Sequence, residues 1–458
     1  MNTELTAAPG RAAPPASPRA RWTLTAASLG FLMVGLDATI VNVALPTLGR
    51  EWGAGLTSLQ WVVDGYTLMF AALQLIGGTL SDRLGARRAY GCGLALFVLA
   101  SLACGLAASP GMLVAARFVQ GVGAAVQLPA SLAMVRHAYA APAARARAVG
   151  VWAASGGAAV AAGPVLGGLL LERFEWRSLF LVNLLFGAVA LVATARAYAP
   201  PPGTRRRLDL PGQAAVTLAL SGLTFGLIEG GTLGWTAAPV LAALAVAVAG
   251  GAGFAGWERR APEPMLPPRL FADPVVSAVG VAGFAQNFAY YGIVFLLSLF
   301  LQEERGHSAL ATGLAFLPMS AAAMLANVYG GRLAARLGPR LPLVGGQLLF
   351  AAGLLALLAA GPSASVRSIC LATVPVGLGG GAAVPAMTGA ILDAVPSDYA
   401  GTASAHLNTA RQVGGAVGVA LFGALVASHF LPGLRLSLVL AAAALMVGAA
   451  VTARHTGR

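Results

Sequence analysis

Apolar residues in this chain come in long unbroken runs, separated by short clusters of charge, proline or glycine. Runs such as Leu94 to Ala108 do not alternate, so they read as helices and not as barrel strands, and a helix that crosses a bilayer needs about 20 such residues. The pattern predicts spans near 23–45, 58–79, 89–108, 111–135, 147–171 and 177–197. A pair follows near 212–230 and 236–257, and then six more near 274–301, 309–334, 341–360, 367–392, 402–429 and 434–453. The expected fold class is all-α membrane, with 14 transmembrane helices. Polar stretches at Ala199 to Leu210 and Glu258 to Asp273 bracket the middle pair. The expected organisation is a tail over 1–21, a six-helix half over 22–197, a linker with two additional helices over 198–273, a second six-helix half over 274–454, and a tail over 455–458. The first residues are rich in Pro and Ala and lack an apolar core, so they read as a disordered cytoplasmic tail and not a signal peptide.

Composition agrees, since 58% hydrophobic and 10% charged residues imply lipid as the solvent. A net charge of +13 would suggest nucleic acid for a soluble chain, but here the basic residues are scattered between apolar runs, and no nucleic-acid partner is expected. All 29 basic residues are Arg, which fits codon bias in a GC-rich bacterial gene and hence a bacterial cytoplasmic membrane. With the N-terminus inside, 21 arginines fall in tails or inner loops, 6 in outer loops and 2 within helices. That bias predicts both termini on the cytoplasmic side. Cys92, Cys104 and Cys370 lie inside apolar segments without ligand spacing, and the five histidines are scattered, so neither a metal site nor an enzyme is expected. A chain without lysine cannot carry an ATP-binding Gly-x-x-x-x-Gly-Lys loop, so no cofactor is expected.

An internal repeat organises the spans. Gly78 to Arg87 and Gly331 to Arg340 share Gly, Leu, Arg, Leu, Gly and Arg at a constant offset of 253. Gly121, Gly123 and Pro129 recur as Gly377, Gly379 and Pro385 at an offset of 256. Duplicated six-helix halves follow, with the middle pair as an insertion, and such halves are a common construction for alternating access.

Six stretches carry a family resemblance. Leu36 to Pro46, Trp61 to Tyr66, Gly78 to Arg88, Arg117 to Ala125, Gly163-Pro164-Val165-Leu166-Gly167-Gly168 and Asn408 to Gly415 are similar, in that order, to motifs of the major facilitator superfamily. The chain resembles its fourteen-spanner drug:proton antiporters, and among them antibiotic self-resistance exporters. The resemblance implies the major facilitator fold and export of a small compound in exchange for protons. It also implies monomeric function and an antiporter motif at Gly163, Pro164, Gly167 and Gly168.

The marked residues carry the chemistry. A charge deep in a spanning helix costs at least about 2.5 kcal/mol, so Asp37 and Arg117 need a reason to be there. Asp37 reads as a proton-coupling or cation-binding carboxylate, or alternatively as a packing residue bonded to a neighbour such as Asn42. By resemblance Arg117 organises the proton pathway; otherwise it ties down backbone carbonyls. Asp64, near the outer end of its span, reads as a coupling group or as a solvated helix-end carboxylate. In the loop Gly78, Asp82, Arg83, Gly85, Arg87 and Arg88 read as a gate of ion pairs and helix caps, or as positive-inside anchors, and Ala335 stands where the repeat would place an acid. Small residues along the fifth span predict close packing, with the thirteenth span as the expected partner through Gly414, Gly415 and Gly418. Gln286, Asn287, Tyr290 and Arg411 are candidate cavity-lining residues, although Arg411 could instead reach the inner surface. Phe225, Phe295, Phe316 and Met319 are candidate apolar surface for the substrate, and Glu229 reads as interfacial.

The function expected is proton-coupled export of a drug-like, largely apolar compound, with small-molecule cargo, protons and lipid as partners. Export of an endogenous metabolite or amino acid is the alternative transporter reading, and a non-transporting sensor or assembly factor the alternative of another class.

Overall fold

The computed structural model describes residues 17–199, 208–396 and 399–456. Most of the expected N-terminal tail, over 1–16, and the arginine run at 205–207 lie outside these. Fourteen of the described helices are long and apolar enough to cross a membrane. They are α1 (Pro18–Trp52), α2 (Leu56–Leu84), α3 (Ala86–Gly105), α4 (Pro110–Ala138), α5 (Ala143–Arg173), α6 (Ser178–Arg196), α7 (Leu210–Leu233), α8 (Ala238–Glu258), α9 (Pro274–Glu304), α10 (Ala309–Ala334), α11 (Arg340–Ala360), α12 (Val366–Asp393), α13 (Ala400–Val426) and α14 (Phe430–His455).

Local chemistry sets several of the boundaries. α1 begins at Pro18, earlier than hydropathy alone predicts. Ser17 caps it by accepting from the Ala20 amide at 3.2 Å, and Pro18 occupies a position where no amide is needed. Near its far end Pro46 cannot donate to the carbonyl four residues earlier, and the helix tightens to a 3₁₀ segment over Val41–Ala44. The α2–α3 turn is made by Gly85 at φ +84° and the α10–α11 turn by Gly338 at φ +81°, a conformation that favours glycine.

The repeat extends to atomic contacts. A β-carbon on Gly121 would strike the carbonyl of Tyr66, and one on Gly377 would strike the carbonyl of Met319. Gly123 sits 2.7 Å, measured from such a carbon, from the amide of Phe97, and Gly379 sits 2.6 Å from that of Phe350. Tyr66 and Met319, like Phe97 and Phe350, are separated by the same 253 positions as the loop repeat.

The two halves, α1–α6 and α9–α14, meet at one end. A hydrophobic core joins Ile40, Leu45, Leu59 and Trp176 of the first half to Ile293, Leu296, Phe316 and Phe422 of the second. Toward the Gly85 and Gly338 turns, each half has its own separate core. Buried amides fasten the meeting end: Gln60 donates to the Ala420 carbonyl at 2.9 Å and Gln302 to the Val43 carbonyl at 3.0 Å.

α5 packs differently from expectation. Gly163 and Gly167 press against Thr39 and Ile40 of α1, and Gly168 against Ala309 and Leu310 at the start of α10. α13 instead places Gly414 and Gly418 on the carbonyls of Phe284 and Phe288 in α9. A stripe of small residues announces close approach without choosing the partner; here the α5–α10 contact between halves claims that face. Phe295, Phe316 and Met319 lie in the core at 0–2% exposure and offer no surface to a cargo.

The inserted pair packs as a hairpin. Gly222 and Gly250 let α7 and α8 approach backbone to backbone. α7 then lies on α2 and α13: Gln213 donates to the Ala72 carbonyl at 2.8 Å, and Gly231 abuts Ala424. α8 buries only Val240 and Glu258.

Candidate functional site

Five helices of the first half converge on one buried polar cluster. Arg117, from α4, is 1% exposed and forms an ion pair with Asp37 of α1, itself fully buried. Its Nε donates to the Val62 carbonyl of α2 at 2.9 Å, and an NH1 hydrogen goes to Gln120 Oε1 at 2.8 Å. The other oxygen of Asp37 accepts from Gln120 Nε2 at 2.9 Å and from Asn183 of α6 at 3.1 Å. Both amides also donate to Ser101 of α3, whose hydroxyl donates to the Phe180 carbonyl at 2.9 Å. The guanidinium lies 4.4 Å from the ring centre of Tyr66, a cation–π contact. A buried ion pair is tolerated when its remaining donors and acceptors are satisfied, and here both oxygens of Asp37 and the Nε and NH1 of Arg117 have partners, while Asn183 Oδ1 has none among the described residues.

Two expected partnerships change. Asn42 does not bond Asp37; its amide returns to the carbonyls of Ala38 and Thr39, at 3.4 and 3.3 Å, one turn back on the same helix. Asp64 is not a solvated helix-end carboxylate. It is 0% exposed and neither oxygen has a hydrogen-bond partner. One turn away on either side of its register, Gln60 bonds α13 and Trp61 donates to Glu229 of α7 at 3.1 Å. Covered by α13 and the inserted α7, that face of α2 is dry, which hydropathy along one helix does not register. Glu229 is half-buried and serves as this tether, and Phe225 packs against the Trp61 ring at 6.2 Å between centres.

In the α2–α3 loop, Asp82, Arg83 and Arg88 are exposed, while Arg87 reaches across to α6. Its Nε donates to the Thr194 carbonyl at 2.9 Å and its NH2 to that of Ala195 at 2.7 Å, so it caps the α6 C-terminus. Gly78 leaves open space around it. In the second half Gln286 donates to the Gly380 carbonyl at 3.0 Å, and Arg411 donates to Asn287 at a long 3.4 Å. Tyr290 packs edge-on against Tyr291. Arg411 faces α9 and does not extend to the surface, because its stem lies along Gly283.

Gln120, Asn183 and Ser101 were not singled out from the sequence. Their signal was available, since amides inside otherwise apolar spans must find partners. Among the described residues no cluster of His, Cys, Asp and Glu could hold a metal.

Comparison with known proteins follows the same line. The chain matches the Major Facilitator Superfamily over residues 27–419 and again over 279–455. It is 39% identical over 405 residues to the methylenomycin A resistance protein of Streptomyces coelicolor, covering 88% of this chain and 85% of that one. With the tetracenomycin C resistance and export protein of Streptomyces glaucescens it shares 35% identity over 413 residues, covering 89% and 76%. Its fold resembles a bacterial homologue of the human lysosomal transporter Spinster, solved in an inward-facing, unoccupied conformation, with a TM-score of 0.66, 18% identity and coverage of 96% and 97%. Fourteen membrane-length helices, a duplicated six-helix plan and relatives of this similarity make the chain a membrane transporter and not an enzyme, and it belongs to the drug-efflux branch of the Major Facilitator Superfamily.

Proposed function

We propose that the chain exports an antibiotic or similar small lipophilic compound across the bacterial cytoplasmic membrane in exchange for protons, as a single chain with both termini in the cytoplasm. The observation that carries the reading is the Asp37–Arg117 pair, a charge cluster held at 0–1% exposure where nothing about packing requires charge. Protonating Asp37 neutralises one partner and frees the guanidinium to move between Asp37, Gln120 and the Tyr66 face. A proton arriving at this point therefore changes how α1, α2 and α4 are tied together. Asp64, buried without a hydrogen-bond partner among the described residues, is the second proton-binding candidate.

The positive-inside bias puts the Gly85 and Gly338 turns on the cytoplasmic side. The end at which the halves meet is then the outer end, and the end where each half keeps its own core faces the cytoplasm, from which cargo would enter. Gly163, Pro164, Gly167 and Gly168 sit where α5 meets α1 and α10, so their small size sets how tightly the outer end closes. Arg87, holding the end of α6, stiffens the inner rim of the first half as it rocks. No cofactor is required, because the proton gradient supplies the energy.

The test is proton release in everted membrane vesicles across a panel of lipophilic compounds, followed by a pH-sensitive dye. The wild type should dissipate the gradient with at least one compound, and Asp37→Asn should not. A mutant that exchanges protons as well as the wild type would remove Asp37 from the mechanism.

A further inference from the structure

The second half contains a cation with no counterion. Arg411 lies within α13, eleven residues from its start, and no Asp or Glu stands within ion-pair distance among the described residues. A guanidinium carries five N–H donors, and among the described residues the one hydrogen bond Arg411 makes is the 3.4 Å contact to Asn287. Arg117 contrasts with it, because its Nε and NH1 donate to Val62, Gln120 and Asp37.

Arg411 is also held in place. A β-carbon on Gly283 would stand 3.0 Å from its Cγ, so the stem lies flat on α9 and the guanidinium is aimed along that helix toward Asn287 and Tyr291. Positions 408–413 of α13, Arg411 among them, are all partly accessible. Tyr291 lays its ring on Gly415, one turn along α13 from Arg411. Its hydroxyl makes no hydrogen bond among the described residues.

We propose that Arg411, with the Tyr291 hydroxyl, binds an oxyanion on the cargo, so that the exported compound is a lipophilic acid carried as its anion. An oxyanion supplies the acceptors that Arg411 lacks, and a planar carboxylate fits the guanidinium fork with two parallel hydrogen bonds. The inference rests on the efflux reading above and names its substrate class.

The test uses purified full-length protein and three probes on one ring system: 1-naphthoate, its methyl ester and 1-naphthylmethylammonium. Naphthoate should bind at least ~10-fold more tightly than either of the others, as expected for a charge-assisted pair. Arg411→Gln should abolish that preference, Arg411→Lys should keep part of it, and Tyr291→Phe should reduce it by about 5-fold, because the phenol donates a charge-assisted hydrogen bond to the acid and at most a neutral one to the ester. If Arg411→Gln does not fold, Tyr291→Phe and Arg411→Lys still carry the test. Equal binding of acid and ester, or an unchanged preference in both remaining variants, overturns the proposal. Vesicle proton exchange is scored separately. Naphthoate binding without proton exchange for any compound would sustain the anion site and reject the antiport reading; exchange with other compounds but no naphthoate preference would do the reverse.

Discussion

Replacing Asp37 by Asn leaves the Arg117 guanidinium buried without a counterion, held only by neutral acceptors: the Val62 carbonyl, the Gln120 amide oxygen and the introduced amide oxygen. Breaking one side of a buried pair strands the other charge, at about 3–5 kcal/mol. Arg117→Gln strands Asp37 instead, but Gln120 and Asn183 still donate to its free oxygen, so that loss should sit near the lower end of the range, about 3 kcal/mol. The double variant Asp37→Asn with Arg117→Gln holds only neutral amides in the same frame. No charge is stranded, so at least half of the second loss should be recovered, a coupling of about 2 kcal/mol. Thermal unfolding in detergent with a thiol-reactive dye reads this directly, because Cys104 is buried with its sulfur 3.6 Å from Gln120 and becomes reactive when the cluster opens. Both single variants should melt well below the wild type and the double variant should melt above the weaker single. Losses that simply add in the double variant would mean that the two residues stabilise the fold independently, and the cluster would not be the unit that protonation rearranges.

The contact between halves can be loosened without touching charge. Gly168→Val puts a side chain 2.7 Å from the Ala309 carbonyl and 2.8 Å from Leu310 Cα, backbone that cannot yield. A reporter cysteine in place of the fully buried Thr312, one turn further into α10, should then react faster with a membrane-impermeant maleimide, and an unchanged rate would count against the meeting end as the closed gate. Gln60→Leu removes one buried hydrogen bond between halves, about 1 kcal/mol, and should raise the same rate by a smaller factor than Gly168→Val. Trp61→Phe keeps the ring contacts to Phe118 and Phe225 but loses the bond to Glu229. The hairpin should loosen, seen as faster proteolysis at the α7–α8 connection, while Trp61→Phe should leave the unfolding free energy of the two halves within about 1 kcal/mol of wild type.

The number of helices was legible because lipid imposes one rule on every span, and the rule is read locally along the chain. Duplication was legible because turn glycines such as Gly85 and Gly338 cannot drift when φ is positive. Asp37 and Arg117 stood out as separate costly charges, but their pairing joins residues 80 positions apart on different helices, and helix adjacency is not written in hydropathy. The same limit misplaced Asp64 and the partner of α5. Both errors concern which helix covers a face, and α13 and the inserted α7, the latter absent from the repeat, hold α2 one turn from Asp64. Uncharged amides such as Gln120 and Asn183 escaped notice because their cost in lipid is small enough to pass as ordinary sequence variation, although once buried each must be satisfied.

The two halves share a backbone plan yet divide the charge unequally. At the offset of 256 that relates α4 to α12, Arg117 corresponds to Thr373, whose hydroxyl only returns to the Cys370 carbonyl of its own helix at 2.9 Å. The offset of 253 sets Tyr290 against Asp37. The second half therefore has no internal ion pair in the place where the first half has one, and its one deep cation, Arg411, stands on a different helix with free donors. On the proposed reading the first half senses protons through a closed, self-satisfied network, and the second offers the cargo an unsatisfied one. Coupling between them needs no shared residue. Protonation loosens the ties among α1, α2 and α4, and α1 and α2 are the helices that hold α9 and α13 at the meeting end through Val43 and Gln60. A change in those ties is felt by the two helices that frame Arg411, which is how a proton bound in one half can alter the grip on an anion in the other.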